Sequence, residues 1–236
     1  MTTSHRWTIT IKHAIPPAAL PPPALKARQN PPLTNASEYF IITITMKCDV
    51  ILSGVGGQGV LSVAAIISQA AIDEGLQVRQ SEVHGMAQRG GAVLAHLRLA
   101  DNTIASDLVP RGGADLILSM EPLESLRYAA WLSQKGALVS ASESFVNIPN
   151  YPDLEGIIKT IKTFPINRVV EASALAKEAG LAKAVNIVMV GAASAFLPIK
   201  AETMERTIEK MFAHKDTSVV EANKKAYNLG RNAAKA

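Results

Sequence analysis

The feature that most constrains the fold is a short apolar strand pattern, Lys47 to Ser53. It runs directly into Gly54-Val55-Gly56-Gly57-Gln58-Gly59 and then into a helix-spaced run from Val60 to Asp73. Glycines at G-x-G-x-x-G spacing between a strand and a helix have separate physical tasks. The first permits a tight turn, the second lets the backbone approach a phosphate, and the third lets helix and strand pack closely. The helix entrance aims unpaired amides and the positive end of its dipole at the loop, which suits an anion. Gly54, Gly56, Gly57, Gln58 and Gly59 are therefore candidate cofactor-binding residues. The competing reading is that the glycines only close the first strand–helix turn. No Lys-Ser/Thr pair follows them, which excludes a nucleoside triphosphate P-loop.

The rest of the pattern extends this unit into an α/β domain. Gly75 ends the helix, Gln77 to His84 alternates as a strand, and Gly85 to Gly91 reads as a loop. Ala92 to Leu99 alternates again, Asp101-Asn102 turns the chain, and a short strand is expected through Ile104. Ala114 to Met120 is a buried strand, and Glu121-Pro122 opens a helix because Pro is tolerated in a first turn. Gly136 to Ser140 reads as a strand, Leu154 to Thr163 as a helix and Arg168 to Glu171 as a short strand. Helical segments follow at Ser173 to Ala179, Ala184 to Phe196, Ala201 to Phe212 and Ser218 to Ala233. The order predicts a Rossmann-like α/β fold: a largely parallel sheet, helices on both faces and a helical C-terminal segment.

Charge and cysteine content narrow the function classes. The chain has 236 residues and a net charge of +4, but residues 1–45 hold four basic residues against one acid. The remainder is nearly neutral and has no basic stripe, so it offers little to a nucleic acid. No apolar run is long enough to span a bilayer, so no membrane partner is expected. One cysteine, Cys48, excludes a disulfide framework, a four-cysteine zinc site and a complete thiolate-ligated iron–sulfur cluster in this chain. The lack of cysteine pairs fits a cytoplasmic location. Residues 1–45 also hold seven of the thirteen prolines, including Pro16-Pro17 and Pro21-Pro22-Pro23. They read as a Pro-rich disordered extension, with Met46 as an alternative start and a targeting role as a further reading. The domain itself is expected to span 46–236.

The second unusual stretch is Ser81-Glu82-Val83-His84-Gly85-Met86-Ala87-Gln88-Arg89-Gly90-Gly91. Open parallel sheets bind ligands at the carboxyl ends of their strands, so this loop is expected beside the glycine loop. Arg89 could clamp a carboxylate or phosphate with two parallel bonds, and His84 could relay a proton near neutral pH. With Glu82 and Gln88 they form the candidate catalytic set. The plainer alternative is a Glu82–Arg89 ion pair that shapes the loop. Glu82 also lies 23 residues beyond Gly59, a spacing that leaves a free-standing NAD- or FAD-binding reductase open. A non-catalytic binding module is the third reading. His96 and His214 make no metal-ligand spacing, and no metal site is expected.

Together the two loops carry a family resemblance. Val50-Ile-Leu-Ser-Gly-Val-Gly-Gly-Gln-Gly-Val60 and Glu82-Val-His-Gly-Met-Ala-Gln-Arg-Gly-Gly91 resemble the gamma-type domain of 2-oxoacid:ferredoxin oxidoreductases. Within that family they are most similar to the small (beta) subunits of its indolepyruvate branch. Asn186-Ile-Val-Met-Val-Gly191, Leu197-Pro198-Ile199 and Glu221-Ala-Asn223 through Gly230 extend the likeness to the C-terminal helices. The resemblance implies a subunit, not a self-sufficient enzyme. It implies oxidative decarboxylation of an arylpyruvate to an acyl-CoA, with electrons passed to ferredoxin. Thiamine diphosphate, Mg and [4Fe–4S] clusters would sit on a large alpha subunit in a hetero-oligomer, since this chain has one Cys and no Gly-Asp-Gly thiamine signature. Coenzyme A would be the co-substrate, its phosphates candidates for the glycine loop. Glu82, His84, Gln88 and Arg89 would face the partner's thiamine site.

Overall fold

A computed structural model describes residues 45–84 and 90–235. The Pro-rich extension and the candidates Gln88 and Arg89 lie outside the described residues, apart from Thr45 at the end of the extension. The elements run β1 (Lys47–Val55), α1 (Val60–Asp73), β2 (Gln77–His84), β3 (Ala92–Ala100), β4 (Ala114–Ser119) and α2 (Pro122–Arg127). They continue with β5 (Leu132–Ala141), α3 (Leu154–Ile161), β6 (Asn167–Val170), α4 (Ala172–Glu178), α5 (Val185–Ala193), α6 (Ala201–Phe212) and α7 (Thr217–Lys235).

The six strands form one sheet in the order β2-β3-β1-β4-β5-β6. β1, β4, β5 and β6 pair in parallel, while β3 is antiparallel to both β1 and β2. Among the described residues, five strands therefore point the same way and only β3 is reversed. The carboxyl ends of β1, β2, β4 and β5 share one rim with the amino end of β3. β1 is buried along its whole length apart from Lys47, as a central strand covered on both faces must be.

Alternation along the strands sorts the core into two layers. Val50, Leu52, Leu97, Leu116, Leu118 and Val139 face the layer built from α1 and α4 to α7. Ile51, Ile117 and Leu138 face α2 and α3, packing on Ile157 and Ile161. This two-faced cover bears out the predicted class. Among the described residues no helix is long and apolar enough to cross a membrane.

Two local expectations need correcting. The segment through Ile104 is not a strand. β1 and β2 already occupy both edges of β3, so a returning segment has no free edge beside it. Instead Arg98 holds the segment through the Ser106 and Leu108 carbonyls. β5 starts at Leu132, four residues before the expected Gly136. Its pairing with β4 shifts register between Ala114 and Leu116, and a Cβ on Gly136 would meet the Ala114 carbonyl at 2.6 Å. The bare glycine marks the irregularity within the strand and not its start.

Candidate functional site

The glycine loop sits where the sequence places it, and the structure divides the labour among its residues. Gly54 still belongs to β1, and a Cβ there would press on Gln58, Val60 and Met120. Gly56 is engaged by backbone: its N–H donates to the Gly91 carbonyl at 2.8 Å, and its carbonyl accepts from the Gly90 N–H at 3.3 Å. The loop after β2 is thereby fastened to the loop after β1, although β3 separates the two strands. Gln58 turns inward, accepting from the Val55 N–H at 2.8 Å and donating to the Met120 carbonyl at 3.1 Å.

Gly59 is the N-cap of α1, with φ 80°. That left-handed conformation favours glycine, and Asn186 Nδ2 stands 3.3 Å from where a Cβ would project. α1 has no side-chain cap. Among the described residues, the amides of its first turn, Val60, Leu61 and Ser62, therefore lack intrahelical and capping partners.

The loop that leads into this turn, Gly57 to Gly59, borders a cavity of about 560 Å³. Gly57, Gln58 and Gly59 form one wall and Met120 and Ala141 line it at the strand ends. Glu143, Ser144 and Phe145 come from the segment after β5, Ser173 from the start of α4, and Lys183, Val185 and Asn186 from the entrance to α5. Glu143 Oε1 accepts from the Ser173 N–H at 2.7 Å, while its Oε2 is covered from water and has no partner among the described residues. Lys183 is exposed and makes no ion pair among the described residues. A positive side chain, free amides, two hydroxyls and a carboxamide around one cleft can hold a phosphorylated ligand.

Of the predicted catalytic set, Glu82 lies exposed near the end of β2, paired in register with Ala95. Gln80 Nε2 approaches its Oε2 at 3.5 Å. His84 closes β2 opposite Val93. β3 stands between Glu82 and β1, a lateral offset of about 10 Å at two strand spacings. The acid of a dinucleotide-binding fold sits on the strand next to the glycine loop, so this topology speaks against the NAD reading.

The segment 142–153 carries no strand or helix and is held by a buried carboxylate at the end of β4. Glu121 is 1% exposed. It accepts from the Glu124 N–H at 2.8 Å, from the Phe145 N–H at 3.3 Å and from the Tyr151 hydroxyl. Burial, and then this hydrogen bond, push the Tyr151 phenol up, so it remains a donor. Asn147 Nδ2 reaches from the same segment to the Gly90 carbonyl at 2.7 Å.

Sequence reasoning missed Glu143, Ser144, Ser173, Lys183 and Asn186. They lie far along the chain from the glycine loop, and only Asn186 falls in a stretch that carries the family likeness, with nothing there to mark it as a site residue. Only the sheet order brings them together.

Comparison with known proteins identifies the family. Residues 49–233 match the family model for pyruvate ferredoxin/flavodoxin oxidoreductase. Indolepyruvate oxidoreductase subunit IorB of Archaeoglobus fulgidus is 36% identical over 198 residues, covering 80% of this chain and 96% of that one. The IorB of Pyrococcus horikoshii is 37% identical, with 79% and 96% covered. In the crystal structure of the keto/oxoacid ferredoxin oxidoreductase gamma subunit from Geobacter sulfurreducens, 98% of that chain and 79% of this one superpose. The TM-score is 0.57 and the identity 26%. The chain belongs to the pyruvate ferredoxin/flavodoxin oxidoreductase family, as a small subunit of a 2-oxoacid:ferredoxin oxidoreductase.

Proposed function

We propose that this chain is the small subunit of an indolepyruvate, or more broadly arylpyruvate, oxidoreductase of the cytoplasm. Its complex converts the 2-oxoacid to an acyl-CoA and passes electrons to ferredoxin. The named relatives support the substrate class, at 36% and 37% identity over nearly their whole length.

Thiamine diphosphate, Mg and the [4Fe–4S] clusters belong to a large alpha subunit in this reading. Cys48 does not fit a cluster: it is buried in the core, and burial, then Asp115 and Asp49, push its thiol up to about 12. A thiol so disposed is no thiolate ligand.

What this chain supplies is a seat for coenzyme A, and the cleft between the glycine loop and the α5 entrance is the observation that carries it. The Gly57 and Gly59 amides and Lys183 would hold phosphate, while Asn186, Ser144 and Ser173 offer hydrogen bonds to the remainder. Gly56 and Gln58 act one step back, fixing the loop. Glu82, His84, Gln88 and Arg89 are proposed to line the face turned to the partner's thiamine site. The chain spanning 46–236 forms one domain in this account, and residues 1–45 are an extension without a part in it.

The test is indolepyruvate-dependent ferredoxin reduction by the complex, with and without this chain and with and without coenzyme A. Activity that requires both supports the proposal. Equal rates without this chain would end it.

A further inference from the structure

We infer that Glu121 is a positioning residue of the site, setting the cavity wall and the Gly90–Gly91 turn through the segment 142–151. The inference rests on the coenzyme A reading of the cavity.

A carboxylate removed from water costs several kcal/mol unless donors or a cation replace the water. Glu121 is buried beside the glycine loop, and no ion pair of it occurs among the described residues. Hydrogen-bond donors alone hold it. One comes from its own helix start at Glu124. The other two, Phe145 N–H and Tyr151 O–H, come from one irregular segment 24 and 30 residues onward. Capping a short helix needs only the first of these. The other two oblige the segment to lie where it does, because bonds to a charged acceptor are strong and directional.

From that segment the constraint passes both ways. Ser144 and Phe145 line the cavity. Asn147 donates to the Gly90 carbonyl, and Gly90 and Gly91 exchange two backbone bonds with Gly56. The loop closes on itself: Gln58 donates to the Met120 carbonyl, and Met120 precedes Glu121. A ring of hydrogen bonds therefore joins the ends of β1, β4 and β5 to the start of β3. Glu121 is the one fully buried charge in this ring.

The experiment uses Tyr151→Phe, which removes only the hydroxyl, alongside Glu121→Gln. In the assembled complex, Tyr151→Phe is expected to raise the KM for coenzyme A five- to tenfold, more than it lowers kcat. Glu121→Gln has the larger effect. In the full chain alone, hydrogen exchange of Tyr151→Phe is expected to quicken at 143–147 and 90–91 while β4 and β5 stay protected. An unchanged KM with unchanged exchange would leave Glu121 a helix cap only and overturn the inference. A wild-type complex indifferent to coenzyme A would defeat the ligand reading instead. The exchange arm would then still decide the role of Glu121.

Discussion

A Cβ placed on Gly230 of α7 would overlap the carbonyl oxygen of Val188 on α5, so the two helices cross backbone against backbone. Gly191 of α5 meets the Tyr227 carbonyl of α7 in the same way. Neither glycine has a positive φ, so the demand is for space and not for conformation. Asn186 and Val185 at the start of α5 line the cavity, so this crossing also fixes one of its walls.

Gly230→Ala or Gly191→Ala is expected to destabilise the fold by about 3 kcal/mol, by forcing the helices apart. Chemical denaturation measures it. Helix propensity alone would make either change stabilising by roughly 1 kcal/mol, so the sign of the effect decides.

The far end of the sheet holds a buried ion pair. Asp49 is fully buried and takes two bonds from Arg98, at 2.7 and 3.1 Å, besides Lys47 at 2.7 Å. Arg98 also ties down the segment after β3 through two carbonyls. Arg98→Met is expected to cost about 1–3 kcal/mol, because the buried carboxylate loses two charge-assisted bonds and keeps the half-exposed Lys47 as its cation. Replacing Asp49 by Leu at the same time should recover part of that loss in the same denaturation assay.

His96 gives a pH signature. It is 5% exposed, and its Nδ1 accepts from the Val109 N–H at 3.1 Å. Burial, then the Arg98 charge, lower its pKa from the usual value of about 6.5. The unfolded chain thus takes up a proton near pH 6.5 that the folded chain refuses. The contribution is present in full above pH 6.5 and is lost as pH falls from there through the depressed folded value. His96→Gln should flatten the stability profile below pH 6.5 relative to wild type, measured by urea denaturation across pH. Parallel profiles would contradict this.

On the proposed coenzyme A seat, Lys183→Ala is expected to weaken binding about tenfold, because the seat would lose a charged phosphate contact. Because the side chain is exposed, the melting temperature should not move. Calorimetric titration of the complex tests the first point and thermal unfolding the second.

Much of this architecture was legible in the sequence. Val60–Asp73, Gln77–His84 and Ala201–Phe212 stand where periodicity and turn residues put them. Strand order was not legible. β3 inserts beside β1 through long-range pairing that no local pattern records, and this displaces Glu82 from the glycine loop. The site was legible by halves. The glycine loop carries a motif because one short segment must make several unusual turns. Glu121, Glu143, Lys183 and Asn186 do ordinary local jobs at helix starts and strand ends, and acquire their place only through tertiary packing. Glu121 opens a helix, as the Glu121-Pro122 pair predicts. Its bonds to Phe145 and Tyr151 needed the structure.

The most direct test of the account is an anaerobic pull-down of this chain from its native lysate, with mass spectrometry and a visible absorption spectrum of the eluate. A brown complex containing a larger, cysteine-rich, thiamine-binding chain is expected. A colourless chain eluting alone would contradict the account.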